Sequence, residues 1–168
     1  MFVGFDYGTS NCAMSFVEKG QAQLIPLYGN DAFVPSTLYA LERPFIAELV
    51  AGQLMDDSER HDYARSRAAL LVQARAGKIE HELHSVDEGI FFGTEAIEHY
   101  IAAPGEGYFI KSPKSFLGAS GLRQQSVDFF EDVVAAMMLN IKARAEQQLQ
   151  KSISQVVIGR PVNFQGIN

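Results

Sequence analysis

Phe2-Val3-Gly4-Phe5-Asp6-Tyr7-Gly8-Thr9-Ser10-Asn11 is the stretch on which the fold turns. The run Phe2-Val3-Gly4-Phe5 is apolar enough for a buried strand, and Asp6 ends it. Gly8 permits the close backbone approach and the positive φ that a turn over an anion needs. Thr9, Ser10 and Asn11 follow with small side-chain donors, and strand character resumes at once in Cys12-Ala13-Met14-Ser15-Phe16-Val17. The polar cluster therefore belongs at the tip of a hairpin, where successive backbone N–H groups can converge on one anion. Asp6 adds a carboxylate beside that anion, as a divalent cation riding on a phosphate would require. The same residues also suit an ordinary polar hairpin turn, since Gly, Asn and Ser are favoured there for conformational reasons. A Walker loop is excluded, because no Gly-x-x-x-x-Gly-Lys-Ser/Thr occurs in the 168 residues.

Outward from the hairpin, Lys19-Gly20 is a turn signal and Ala22-Gln23-Leu24-Ile25-Pro26-Leu27 a third strand, so three antiparallel strands are expected in the first 27 residues. Phe33-Val34-Pro35-Ser36-Thr37-Leu38-Tyr39 reads as extended, with proline at its start. From Arg43 the apolar period lengthens to three or four. Phe45, Ile46, Leu49, Val50 and Leu54 suggest one helix; Asp56-Asp57-Ser58-Glu59 caps a second, expected to run to Gly77. Gly89 to Gly93 is a short strand, and Thr94 to Ile101 a short helix. The longest helix is expected over 124–149, with Val127, Phe130, Val134, Met137, Ile141, Ala145 and Leu149 as one apolar stripe to pack on a sheet. Gln155-Val156-Val157-Ile158-Gly159 is then a short strand of the kind buried in parallel sheets. The order is β-β-β, a mostly helical insertion, then α-β.

Composition narrows the functional classes. The hydrophobic fraction of 47% and the charged fraction of 20% are those of an ordinary globular chain. A net charge of −6 argues against a general nucleic-acid or anionic-membrane partner. No stretch approaches the roughly 20 apolar residues of a membrane span, and no secretory leader is recognisable. The single cysteine, Cys12, rules out an internal disulfide and fits a reducing, cytoplasmic setting. It is expected to pack in the hairpin rather than act as a nucleophile.

A second chemical stretch is Phe109-Ile110-Lys111-Ser112-Pro113-Lys114-Ser115-Phe116-Leu117-Gly118, two lysines beside serines in a loop entering a helical turn. A lysine there can place compact positive charge on a transferring phosphoryl group, or can be a solvated surface residue. His81-Glu82-Leu83-His84 lacks the His-Glu-x-x-His spacing of a zinc site and reads as a polar linker.

Four stretches in the same order resemble the heat shock protein 70 (DnaK-type) family and its relatives among actin and the sugar kinases. Val3 to Asn11 is similar to the family's first phosphate motif, and Asp31-Ala32-Phe33-Val34-Pro35-Ser36 to its Pro-Ser segment after the third strand. Lys114-Ser115-Phe116-Leu117-Gly118 resembles its Lys-Arg-Leu-Ile-Gly segment, and Val157-Ile158-Gly159-Arg160-Pro161-Val162-Asn163-Phe164 its Ile-Thr-Val-Pro-Ala-Tyr-Phe strand end. The wording is most similar to the divergent YegD-type chaperone-like branch.

The resemblance implies an α/β fold of the ribonuclease H-like (actin and heat shock protein 70 ATPase) type, of which this chain would be the first lobe. Residues 1–42 and 111–168 would form its core subdomain and 43–110 an inserted one. It further implies an ATP-binding, ATP-hydrolysing chaperone-like protein using ATP or ADP with Mg²⁺. Asp6 would be catalytic and hold the magnesium through water; Gly8, Thr9, Ser10 and Asn11 would cradle the β- and γ-phosphates; Lys114, rather than Lys111, would be the catalytic lysine. Pro161 would relay nucleotide state between domains. The implied partners are nucleotide and unfolded or client proteins. A sugar kinase-type phosphotransferase and a nucleotide-gated interaction module without turnover are the alternatives. The second phosphate motif, Asp-x-Gly-Gly-Gly-Thr, and the adenosine motif do not occur in the 168 residues, so the chain is expected to be one part of an ATPase domain and to bind ATP poorly alone.

Overall fold

The computed structural model describes residues 1–159. It is an α/β structure with a mixed sheet, and the chain divides into two compact units, residues 1–36 with 111–168 and residues 37–110. The second thus begins at Thr37, taking in a strand that sequence reading assigned to the core.

In the first unit, β1 (Phe2–Tyr7), β2 (Asn11–Glu18) and β3 (Gln21–Leu24) form an antiparallel meander. A short β4 (Val34–Pro35) pairs antiparallel with the start of β2, Asn11 opposite Pro35 and Cys12 opposite Val34. The helix α5 (Gln124–Leu149) leads to β8 (Gln155–Ile158), which lies parallel to β1 and completes the order β3-β2-β1-β8. Strand alternation assigns the faces: Val3, Phe5 and Tyr7 of β1 are buried with their cross-strand neighbours Met14 and Cys12, while Phe2 and Asp6 point the other way and are exposed. Tyr7 fixes the sheet to α5 by donating its hydroxyl to Met137 Sδ at 3.5 Å. Burial pushes that phenol far above its ordinary range, with a further push from Cys12.

α5 has the expected extent, but its buried line is Val133, Ala136, Met137, Ile141 and Ala145. Met137, Ile141 and Ala145 are buried as the expected stripe requires, whereas Val134 is only half-buried and its neighbour Val133 takes the inward place. The end of α5 is tied to the next strand. Glu146 accepts from Lys142 Nζ at 2.9 Å and from the Ile153 N–H at 2.7 Å. These contacts, Lys142 first, lower its carboxyl below the usual range. The third strand stops at Leu24, two buried residues, Ile25 and Leu27, continuing beyond it as irregular chain. β8 was expected to be buried; Val156, Val157 and Ile158 are all exposed.

In the second unit, β5 (Thr37–Ala40) is fully buried between β6 (Ile90–Phe92) and β7 (Tyr108–Lys111). This unit therefore carries its own sheet; Tyr108–Lys111 is a strand where a loop is expected, because Lys111 and the following Ser-Pro mask a four-residue run. Helices α1 (Arg43–Gln53), α2 (Asp57–Ser66), α3 (Ala68–Glu80) and α4 (Thr94–Ala102) and a 3₁₀ turn over Val86–Gly89 complete its regular structure. Asp56 caps α2 as expected, accepting from the Glu59 N–H at 2.9 Å. The single helix expected to end at Gly77 is two helices meeting at Arg67, and Gly77 sits inside α3. Its lack of a side chain serves packing: a Cβ there would lie 2.7 Å from the Glu42 carboxylate. α3 also pairs with α1 through Lys78 and Glu48 at 2.7 Å. No helix among the described residues is long and apolar enough to cross a membrane.

Candidate phosphate-binding site

The hairpin between β1 and β2 closes over Gly8, Thr9 and Ser10, with Tyr7 opposite Cys12 as its last pair. Of the two reasons for a glycine at position 8, close backbone approach and positive φ, the hairpin uses the first. The Gly8 φ lies outside the left-handed region, whereas a Cβ on it would come within 2.2 Å of the Asn11 carbonyl oxygen. The turn is thus so tight that backbone occupies the place of a side chain. Thr9, Ser10, Asn11 and Asp6 are all exposed around it.

Three carbonyls at this hairpin are held by donors from elsewhere in the chain. Lys114, in a 3₁₀ turn over Pro113–Phe116, donates from Nζ to the Tyr7 carbonyl at 2.6 Å across 107 residues. Ser36 donates its hydroxyl to the Gly8 carbonyl at 2.8 Å and its N–H to the Ser10 carbonyl at 2.8 Å. The Ser36 carbonyl in turn accepts from the Ser112 N–H at 2.9 Å, which ties the segment bearing Lys114 to the one bearing Ser36. Ser112 itself is left-handed, with φ of 56°, and this bend directs the chain from β7 into the 3₁₀ turn.

Inward-held carbonyls decide where the amides face. In a trans peptide the C=O of one residue and the N–H of the next point in opposite directions. No cis bond occurs among the described residues, so the Gly8 carbonyl held by Ser36 aims the Thr9 N–H away from Ser36. Among the described residues, no hydrogen bond uses the Thr9 or Ser10 N–H as donor. Two adjacent exposed amides with a lysine ammonium behind the loop are the elements of an anion-binding nest.

The structure therefore brings Lys114 to the hairpin that carries Asp6, Gly8, Thr9, Ser10 and Asn11, and leaves Lys111 exposed at the end of β7. Lys114 keeps further ammonium protons for a ligand, since a lysine has three donors and the Tyr7 carbonyl takes one. Asp6 suits magnesium held through water: Mg²⁺ retains several waters and takes one or two carboxylates plus phosphate oxygens. No group of three side chains able to enclose a metal directly occurs among the described residues. Pro161 lies outside the described residues.

Cys12 is fully buried beneath the loop, 3.4 Å from the Ser36 hydroxyl. Burial pushes its thiol up, and its contacts with the Ser36 hydroxyl and the Gly8 backbone offset this only in part, so it is a packing residue and not a thiolate nucleophile. His81 pairs with Glu42 at 3.0 Å. Ser36 is the participant that reading the sequence for chemistry passes over. Its Pro-Ser context marks a segment, but no local pattern shows a serine reaching the Gly8 carbonyl 28 residues away. No protein-family model matches the chain.

Proposed function

We propose that this chain supplies the first phosphate-binding hairpin and the catalytic lysine of an ATP-binding, ATP-hydrolysing protein with the ribonuclease H-like fold, similar to the heat shock protein 70 chaperones. The observation that carries the reading is the seat of Lys114, whose ammonium rests on the Tyr7 carbonyl behind a hairpin tip at which Thr9 and Ser10 are exposed. The strand order β3-β2-β1-β8, with α5 leading into a parallel β8, agrees with it.

In this reading the Thr9 and Ser10 amides and the polar side chains of Thr9, Ser10 and Asn11 grip β- and γ-phosphate oxygens. Lys114 offsets charge that develops on the γ-phosphoryl group as water attacks, without giving up its anchor on Tyr7. Bound Mg²⁺ would neutralise phosphate charge, and Asp6 would orient its water shell. The Asp-x-Gly-Gly-Gly-Thr motif of the second half of the clamp does not occur in these 168 residues. The wider reading places the protein in the cytoplasm, with client or unfolded proteins as its macromolecular partners.

The test is ATP turnover by the full-length protein carrying Lys114→Ala or Asp6→Asn. Each is expected to lower kcat by about 10²–10³, the cost typical of removing one group that stabilises transition-state charge. Wild-type turnover in both variants would overturn the assignment.

A further inference from the structure

We propose that Ser36 is a positioning residue of the phosphate loop, its hydroxyl turning the Thr9 amide toward the anion by holding the Gly8 carbonyl inward. The proposal rests on the phosphate-binding reading above and adds to it a residue outside the hairpin.

Ser36 is 1% exposed, and all three of its polar groups are engaged. The N–H goes to the Ser10 carbonyl, the carbonyl receives the Ser112 N–H, and the hydroxyl goes to the Gly8 carbonyl. The first two are backbone bonds that any residue except proline could make. The third needs a side-chain donor of one-carbon reach, and it is the one that acts on the Gly8–Thr9 peptide plane. Without it, that carbonyl loses its partner at 2.8 Å and the plane can rotate toward water, which swings the Thr9 N–H away from its present direction.

A peptide flip at a tight loop is locally available because Gly8 has no side chain to resist it. Lys114 does not prevent it, since its bond fixes the preceding plane, Tyr7–Gly8. Cys12 Sγ lies 3.4 Å from the hydroxyl and has a hydrogen bond with the Gly8 backbone, which belongs to the preceding plane, Tyr7–Gly8, and not to the plane that Ser36 holds. The two residues separate positioning from packing: Ser36→Ala removes the bond to the Gly8 carbonyl, whereas Cys12→Ala removes buried core and a contact with the Tyr7–Gly8 plane, which Lys114 still holds, and leaves the Gly8 carbonyl bonded.

Two measurements test the proposal. The first uses this chain without nucleotide. ¹⁵N relaxation of Ser36→Ala is expected to lower the Thr9 and Ser10 order parameters from about 0.85 toward 0.6 or below, while Cys12→Ala leaves them near the wild-type value. The second uses full-length protein and Mg-ATP. Ser36→Ala is expected to raise KM about tenfold with kcat changed less than about threefold, the size of one lost hydrogen bond to the bound phosphates. Ser36→Thr, which keeps the hydroxyl, should restore KM, and Cys12→Ala should leave it within about twofold of wild type. Unchanged order parameters in Ser36→Ala would overturn the proposal and leave the Lys114 assignment standing. So would a loosened loop with unchanged KM in a protein that Lys114→Ala inactivates. If Lys114→Ala and Asp6→Asn both retain turnover, the phosphate reading falls and the role of Ser36 falls with it.

Discussion

Replacing Gly8 by alanine puts the tightness of the hairpin to a direct test. The added Cβ would sit 2.2 Å from the Asn11 carbonyl oxygen, against 3.4 Å for ordinary contact, so the two strands' ends must part by about 1 Å. The obstacle is backbone, which cannot swing aside as a side-chain tip would. Parting the loop stretches the bonds that Ser36 makes to the Gly8 and Ser10 carbonyls and the Tyr7 pairing with Cys12. At about 1 kcal/mol net for each of three hydrogen bonds, less up to about 1 kcal/mol gained from a stiffer unfolded chain, the loss comes to about 2 kcal/mol. With a urea slope of about 2 kcal/mol/M, the unfolding midpoint should fall by about 1 M, read by circular dichroism. Gly52→Ala is the contrast: Gly52 lies exposed in α1 with nothing within 4 Å of a built Cβ, and the change should raise stability by up to about 1 kcal/mol. A midpoint for Gly8→Ala at or above wild type would refute the claim that backbone contact, rather than conformational freedom, makes glycine necessary at the hairpin.

Two further outcomes follow from groups whose proton affinity the fold has shifted. Glu146 is held below its ordinary value, first by Lys142 and then by the Ile153 amide, so its stabilisation is complete above the unfolded carboxyl range near pH 4.3 and disappears as pH falls through the folded value. Glu146→Gln should therefore cost about 1 kcal/mol at pH 7 in a denaturant titration and progressively less as pH falls below the unfolded carboxyl range; a cost that does not change with pH would show that its charge is irrelevant. Cys12, buried with its thiol pushed up, should resist iodoacetamide at pH 8 in the folded protein and react at the rate of an ordinary thiol once urea exposes it; fast labelling of the folded chain would contradict the packing role.

Local periodicity made much of the secondary structure legible. The meander, the cap at Asp56, the extent of α5 and the last strand each announce themselves within a few residues. The misses share one cause: they depend on what another segment does. Gly77 looked like a helix end because glycine usually is one, but here it admits the Glu42 carboxylate against the side of α3. Val133 rather than Val134 is buried because steps of three and of four residues back from Met137 both keep to one helix face, and period alone does not choose between them. Arg67 divides what reads as one helix, with its N–H still returning to the Tyr63 carbonyl, so no sequence break marks the place.

The site shows the same division in a sharper form. A hairpin tip of Gly8, Thr9, Ser10 and Asn11 is readable as a shape, yet its chemistry depends on the direction of individual peptide planes. Those directions are set by Ser36 and Lys114, which arrive from 28 and 107 residues away. Any polar hairpin offers amides; only one whose carbonyls are held from behind offers them in a fixed array. An isolated hairpin of residues 1–18 would therefore lack the property even with the motif intact, because an unheld loop loses entropy on meeting an anion that the held loop has already lost on folding. Pre-organisation by distant donors, more than the identity of the tip residues, is what separates this turn from an ordinary one.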